Sequence, residues 1–69
     1  METIRREYLV DKTRIGFIRF IFEAHEGIGV VTTLDPALGH VRISMAPDRM
    51  DTVFTVIEDL KKDFRFDEV

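Results

Sequence analysis

Residues 29–45 constrain this chain more than any other stretch. Gly-Val-Val-Thr-Thr-Leu is followed by Asp-Pro-Ala-Leu-Gly and then by His-Val-Arg-Ile-Ser-Met. Two runs rich in β-formers around a Pro- and Gly-containing turn predict a β-hairpin. Proline pre-sets the first position of a type I turn, and Gly39 accepts the positive φ that closes such a loop. A four-residue loop over residues 36–39 sets Asp35 opposite His40, Thr33 opposite Arg42 and Val31 opposite Ser44. The other face is then Val30, Thr32, Leu34, Val41, Ile43 and Met45. A three-residue loop would turn Thr33 and Asp35 toward the core, where an unpaired carboxylate is costly. The four-residue loop is therefore expected.

The flanks carry the remaining elements. Residues 3–10 alternate with period 2, Ile4, Tyr8 and Val10 falling on one face with Arg6, which predicts a half-buried strand. The charge on that face places Arg6 near a sheet edge with its head in water. Asp11 suits an N-cap, its carboxylate accepting free backbone N–H groups of the first turn. A helix is expected over residues 12–26, with Gly27 as the left-handed residue that ends it. Its apolar residues fill roughly 220° of the wheel, about twice what one covered sheet face requires. Asp48 is expected to cap a second helix. Met50, Val53, Phe54, Ile57, Leu60 and Phe64 form its buried stripe, widened by Val56. Residues 65–69 offer a short last strand.

The order is β-α-β-β-α, with a final β in prospect. The simplest closure is a single α+β domain over residues 1–69: one antiparallel sheet with both helices on the same face, the ferredoxin-like plait.

Composition narrows the function classes. With 69 residues and no cysteine, disulfides and thiolate metal sites are excluded. The formal charge is −3, and no Lys/Arg stripe forms, which disfavours nucleic-acid binding. An RNA-reading plait also stacks bases on aromatics of its central strands, and residues 40–45 contain none. No signal-like opening is seen, and no apolar run approaches the roughly 18 residues of a membrane span. A cytoplasmic protein that does not contact membrane is expected.

Two resemblances enter here. The run Ile18-Arg19-Phe20-Ile21-Phe22-Glu23-Ala24-His25-Glu26-Gly27, with Thr33-Leu34-Asp35-Pro36-Ala37-Leu38-Gly39, resembles a family of small bacterial proteins of unknown function. That resemblance implies no activity. The element order also resembles ACT domains, βαββαβ modules that dimerise and often bind amino acids. There a glycine in the loop entering the first helix approaches the ligand; Arg14-Ile15-Gly16-Phe17-Ile18 is a loose counterpart, with Ile15 in place of the usual proline.

The candidate sites follow. His25, Glu26, Asp35 and His40 have metal-binding chemistry but no HxxxH or HxH spacing; a solvent-face Asp35–His40 pair is the simpler expectation. Ser44 is the only serine and lies four strand residues from His40, beyond hydrogen-bond reach. Glu7 and Asp11 near Arg14 are read as solvated surface. No catalytic residue, metal ligand or cofactor site is assigned. Gly16, Phe17, Phe20 and Phe22 are the candidate ligand or interface residues, because helix one is more apolar than one sheet can cover. The expected protein is a non-catalytic, self-associating interaction module. Its homodimer would bury part of Phe17, Phe20 and Phe22 or extend the sheet edge to edge. An ACT-like sensor of a small metabolite is the alternative.

Overall fold

A computed structural model of the chain describes residues 2–24 and 28–69. β1 (Ile4–Val10) leads through a 3-10 turn (Lys12–Arg14) into α1 (Ile15–Ala24). β2 (Val30–Asp35) and β3 (His40–Met45) form the hairpin. A second 3-10 turn (Pro47–Arg49), α2 (Met50–Leu60) and β4 (Phe66–Glu68) complete the chain. The four strands make one sheet in the order β2-β3-β1-β4, every neighbour antiparallel. This is the ferredoxin-like plait.

The core lies between the helices and one sheet face. Tyr8 and Val10 of β1, Val31 of β2, Val41, Ile43 and Met45 of β3 and Phe66 of β4 point into it. Ile18 and Phe22 descend from α1, and Val53, Ile57 and Leu60 from α2. Tyr8 and Phe66 meet edge to face with ring centroids 5.0 Å apart. Burial pushes the Tyr8 phenol above its ordinary range, and the Glu68 carboxylate adds to the shift. Fully burying one such side chain stabilises the fold by about 1.5–3 kcal/mol. The short β4 is therefore held by Phe66 as well as by its ladder.

Several expectations are corrected. α1 begins at Ile15 after a 3-10 turn rather than at residue 12. Asp11 does cap this entry: its Oδ1 accepts from the Thr13 amide at 2.9 Å and from the Thr13 hydroxyl at 2.7 Å. The hydroxyl bond and then the amide bond hold the Asp11 carboxyl below its ordinary 3.8. The expected helix end at Glu26 and Gly27 lies outside the described residues. Asp48 does not cap helix two. Arg49 precedes α2 without a side-chain bond; Ala46 caps the 3-10 turn before it, also without one, and Pro47 starts that turn, where its missing N–H costs nothing. β1 is an interior strand, so Arg6 is not on an edge strand. β4 flanks only Tyr8, Leu9 and Val10, which leaves room for the Arg6 guanidinium in water, 3.4 Å from Glu68.

The largest correction is the phase of β2. Asp35 does oppose His40, but Thr33 opposes Val41 and Val31 opposes Ile43. Leu34 is an unpaired extra residue, a β-bulge. Val31 and Thr33 thus face inward, while Val30 and Leu34 are 63% and 38% exposed. Ile28 and Gly29 explain the choice. Ile28 is buried in the core. Gly29 lies so close to Ile43 and the Ser44 carbonyl that a Cβ would stand 3.2 Å from each. These two residues seat the start of the strand and bring Val31 inward. Thr33 is not left unpaired, because Arg19 donates Nη2–H to its hydroxyl at 2.9 Å.

The turn itself docks on β1. Gly39 has φ of 73° and its carbonyl accepts from the Val10 amide at 2.8 Å. A Cβ there would collide with the Val10 carbonyl oxygen. Gly39→Ala should cost at least about 2 kcal/mol from left-handed strain and this clash together, read as a lower urea midpoint. An unchanged midpoint would contradict this account of the turn.

Candidate interaction surfaces

Three surfaces remain outside the core. The first is a groove of about 710 Å³ between the helices. α1 rests on β2 and stands off from α2. Phe17 and Ile21 line one wall, and Thr52, Thr55, Val56 and Leu60 line the other. Phe17 is 46% exposed and meets Phe64 edge to face at 6.3 Å. Asp51, Asp59 and Asp63 stand along the rim, with Lys62 as the single cation lining it. Lys62 Nζ is 3.5 Å from Asp59 Oδ1.

The second surface is the sheet face turned away from the helices. Arg5, Glu7 and Leu9 of β1 lie beside Ser44, Arg42 and His40 of β3 in register, with Val30 and Thr32 of β2 next to them. His40 Nε2 and Glu7 Oε1 are 2.8 Å apart. The expected Asp35–His40 side-chain pair is therefore not formed. Asp35 instead accepts from the amides of Ala37 and Leu38 at 3.0 and 3.3 Å, closing its own turn. Among the described residues, the buried Arg42 Nε has no hydrogen-bond partner. Tyr8, the aromatic of β1, offers no stacking ring here: it is inside, as its phase predicts.

The third surface is the pair of sheet edges. β4 is three residues long and carries Asp67 and Glu68, which pair with Arg65 at 2.8 Å and with Arg6. β2 is the other edge, and Val30, Val31, Thr32, Thr33 and Leu34 bring no charge to it.

The sequence candidates fall in different places. Phe22 is fully buried in the chain's own core, so it is no part of an interface or ligand surface. Phe17 lines the groove, and Phe20 is 63% exposed, roughly 60° further round the helix from Phe17. Gly16 is exposed within α1, and an added Cβ would meet nothing within 4 Å. Of the four side chains considered for metal binding, His25 and Glu26 lie outside the described residues, while Asp35 and His40 bond elsewhere. Among the described residues no group of three or more His, Cys, Asp or Glu could hold a metal ion. Glu7 joins His40 and Asp11 joins Thr13, and Arg14 acts on Asp11 through its charge, so the two carboxylates bond to different partners. No helix among the described residues is long and apolar enough to cross a membrane.

Sequence reasoning missed the groove and the Glu7–His40 pair. The pair had a signal once the strand order is known: with β1 beside β3, Glu7 sits diagonal to His40 on one face. The groove had none, because it depends on how far apart the helices stand.

These features define a small α+β plait with a groove between its helices and a polar outer sheet face. Residues 8–63 match the model of the family described as Domain of unknown function (DUF4911). The match covers most of the chain, and the protein belongs to that family. No curated protein and no solved structure matches it.

Gly16 gives a direct test of its own role. A glycine in a helix with open space around it weakens the helix without serving the fold. Gly16→Ala should raise stability by about 0.4–1 kcal/mol, measured by urea unfolding. A loss instead would show that something outside the chain packs on that position.

Proposed function

We propose that this protein is a non-catalytic interaction module that associates with a second copy of itself through the outer edge of β2. The contrast between its two sheet edges carries this reading. Proteins blunt exposed edges with shortness, charge, proline or bulges. β4 has shortness and charge. β2 has the bulge at Leu34 and the Asp35 carboxylate, both at the turn end, which leaves the stretch from Val30 to Thr33 bare. That stretch presents unpaired backbone groups, β-branched side chains and no charge, which is the chemistry of strand addition. An antiparallel β2–β2 pairing about a two-fold axis makes one eight-stranded sheet. Such an axis is self-complementary. It brings together the flanks of α1 above β2, where exposed Arg19 and Glu23 supply opposite charges for each other's counterparts.

The alternative, an ACT-like sensor of amino acids, requires a ligand at Gly16. Gly16 does not line the groove, and the groove's carboxylate rim repels an amino acid's own carboxylate. The edge reading is therefore preferred. A reading as an enzyme lacks a nucleophile beside the Glu7–His40 pair, since Ser44 is about 13 Å along the strand from His40.

Light scattering across a micromolar concentration series should give a mass twice the 8.1 kDa chain. Lysines at exposed edge positions, Val30→Lys with Thr32→Lys, should weaken association at least tenfold, about 1.4 kcal/mol, with an unchanged circular dichroism spectrum. A wild-type mass of one chain throughout, or an intact dimer in the lysine variant, would refute the proposal.

A further inference from the structure

The groove between α1 and α2 is a separate surface from the β2 edge. We infer that it receives a basic amphipathic helix from a partner protein. Three properties of the groove select this occupant. Its floor and walls are apolar, with Phe17, Ile21, Val56 and Leu60 inside, so the occupant offers an apolar stripe. Its rim holds Asp51, Asp59 and Asp63 against Lys62 alone, so the flanks of that stripe are cationic. Its length fits about three helical turns: Asp51 and Asp59 are eight helical residues apart, about 12 Å, and Asp63 lies about one turn beyond.

The backbone of the occupant decides between a helix and an extended strand. The groove lies between two helices whose own N–H and C=O groups bond internally, so no free ladder is offered to an extended chain. A strand laid there would lose water from its backbone groups without replacing those bonds. A helix satisfies its own backbone and presents leucine-sized anchors at i, i+3 or i+4, and i+7. A second copy fits less well, because a two-fold pairing of this face would bring acidic rims together.

The probe is a synthetic 14-residue leucine/lysine peptide with leucines at helical spacing and lysines flanking them, titrated into the isotope-labelled full chain. Chemical-shift changes should centre on Phe17, Ile21, Thr55 and Val56. Removing the rim charge in an Asp51→Asn, Asp59→Asn, Asp63→Asn variant should weaken binding at least tenfold, and Thr55→Arg, which fills the groove with a cation, should do the same. All four positions are exposed in the free chain, and the variants' native spectra serve as the folding control. A peptide carrying glutamates in place of lysines should not bind.

Four results would overturn the inference. Equal affinity of the wild-type and rim variants would remove the charge argument. Shifts centred on the sheet would place the peptide elsewhere. Phenylethylamine reproducing the same shifts at comparable affinity would make the groove a small-amine site. A change in the chain's own mass caused by Thr55→Arg would assign the groove to a second copy and also contradict it. Because the mass of the β2 lysine variant is read separately, failure here leaves the edge proposal distinguishable.

Discussion

β2 and β3 run in step from Val30 to Thr33, and Leu34 then inserts without a partner before Asp35 meets His40. In a strand with unbroken alternation, Val31, Thr33 and Asp35 share a face. Burying Val31 would then bury the Asp35 carboxylate, and keeping Asp35 in its turn would expose Val31. The bulge separates the two demands. Val31 and Thr33 enter the core behind Ile28, while Asp35 stays outside and closes the Pro36-Ala37-Leu38-Gly39 turn with two backbone bonds. The turn then docks on β1 through Gly39 and Val10, and β1 in turn carries β4.

The same slip shapes the surface. It turns Val30, Thr32 and Leu34 toward water on the edge strand, and it sets Thr33 where Arg19 of α1 reaches it. α1 rests on β2 and leaves the groove beside α2. A chain of this size has a small core, and domains this short commonly gain support from a partner. An edge stretch without charge from Val30 to Thr33, with the short charged β4 at the opposite edge, fits that expectation.

Much of the fold was legible in the residues. The turn, the two amphipathic helices and the Asp11 cap each had a local signal: proline and glycine at fixed offsets, a 3.6-residue period, a carboxylate before an apolar run. The bulge had no such signal, because Leu34 is neither glycine nor polar. Its cause is tertiary, namely the close approach of Gly29 to β3. The position of Asp48 was misread for a related reason, since Pro47 starts the turn one residue earlier and leaves Ala46 at its cap. Phe22 could not be told from Phe17 and Phe20 on a wheel that is apolar over most of its circumference. Only contact with the sheet fixes which arc is buried. β4 carries one buried side chain, Phe66, and forms because a slot beside Tyr8 and a free edge of β1 exist to receive it.

The central claim is that the outer edge of β2 is an interface between two copies. Backbone hydrogen exchange tests it at the bonds themselves. The amides between Val30 and Thr33 that point away from β3 have no acceptor within their own sheet. They should be protected at high protein concentration and lose that protection on dilution, while amides of β1 and β3 stay protected throughout. Rapid exchange of those β2 amides at every concentration would contradict the account, whatever the mass of the particle in solution.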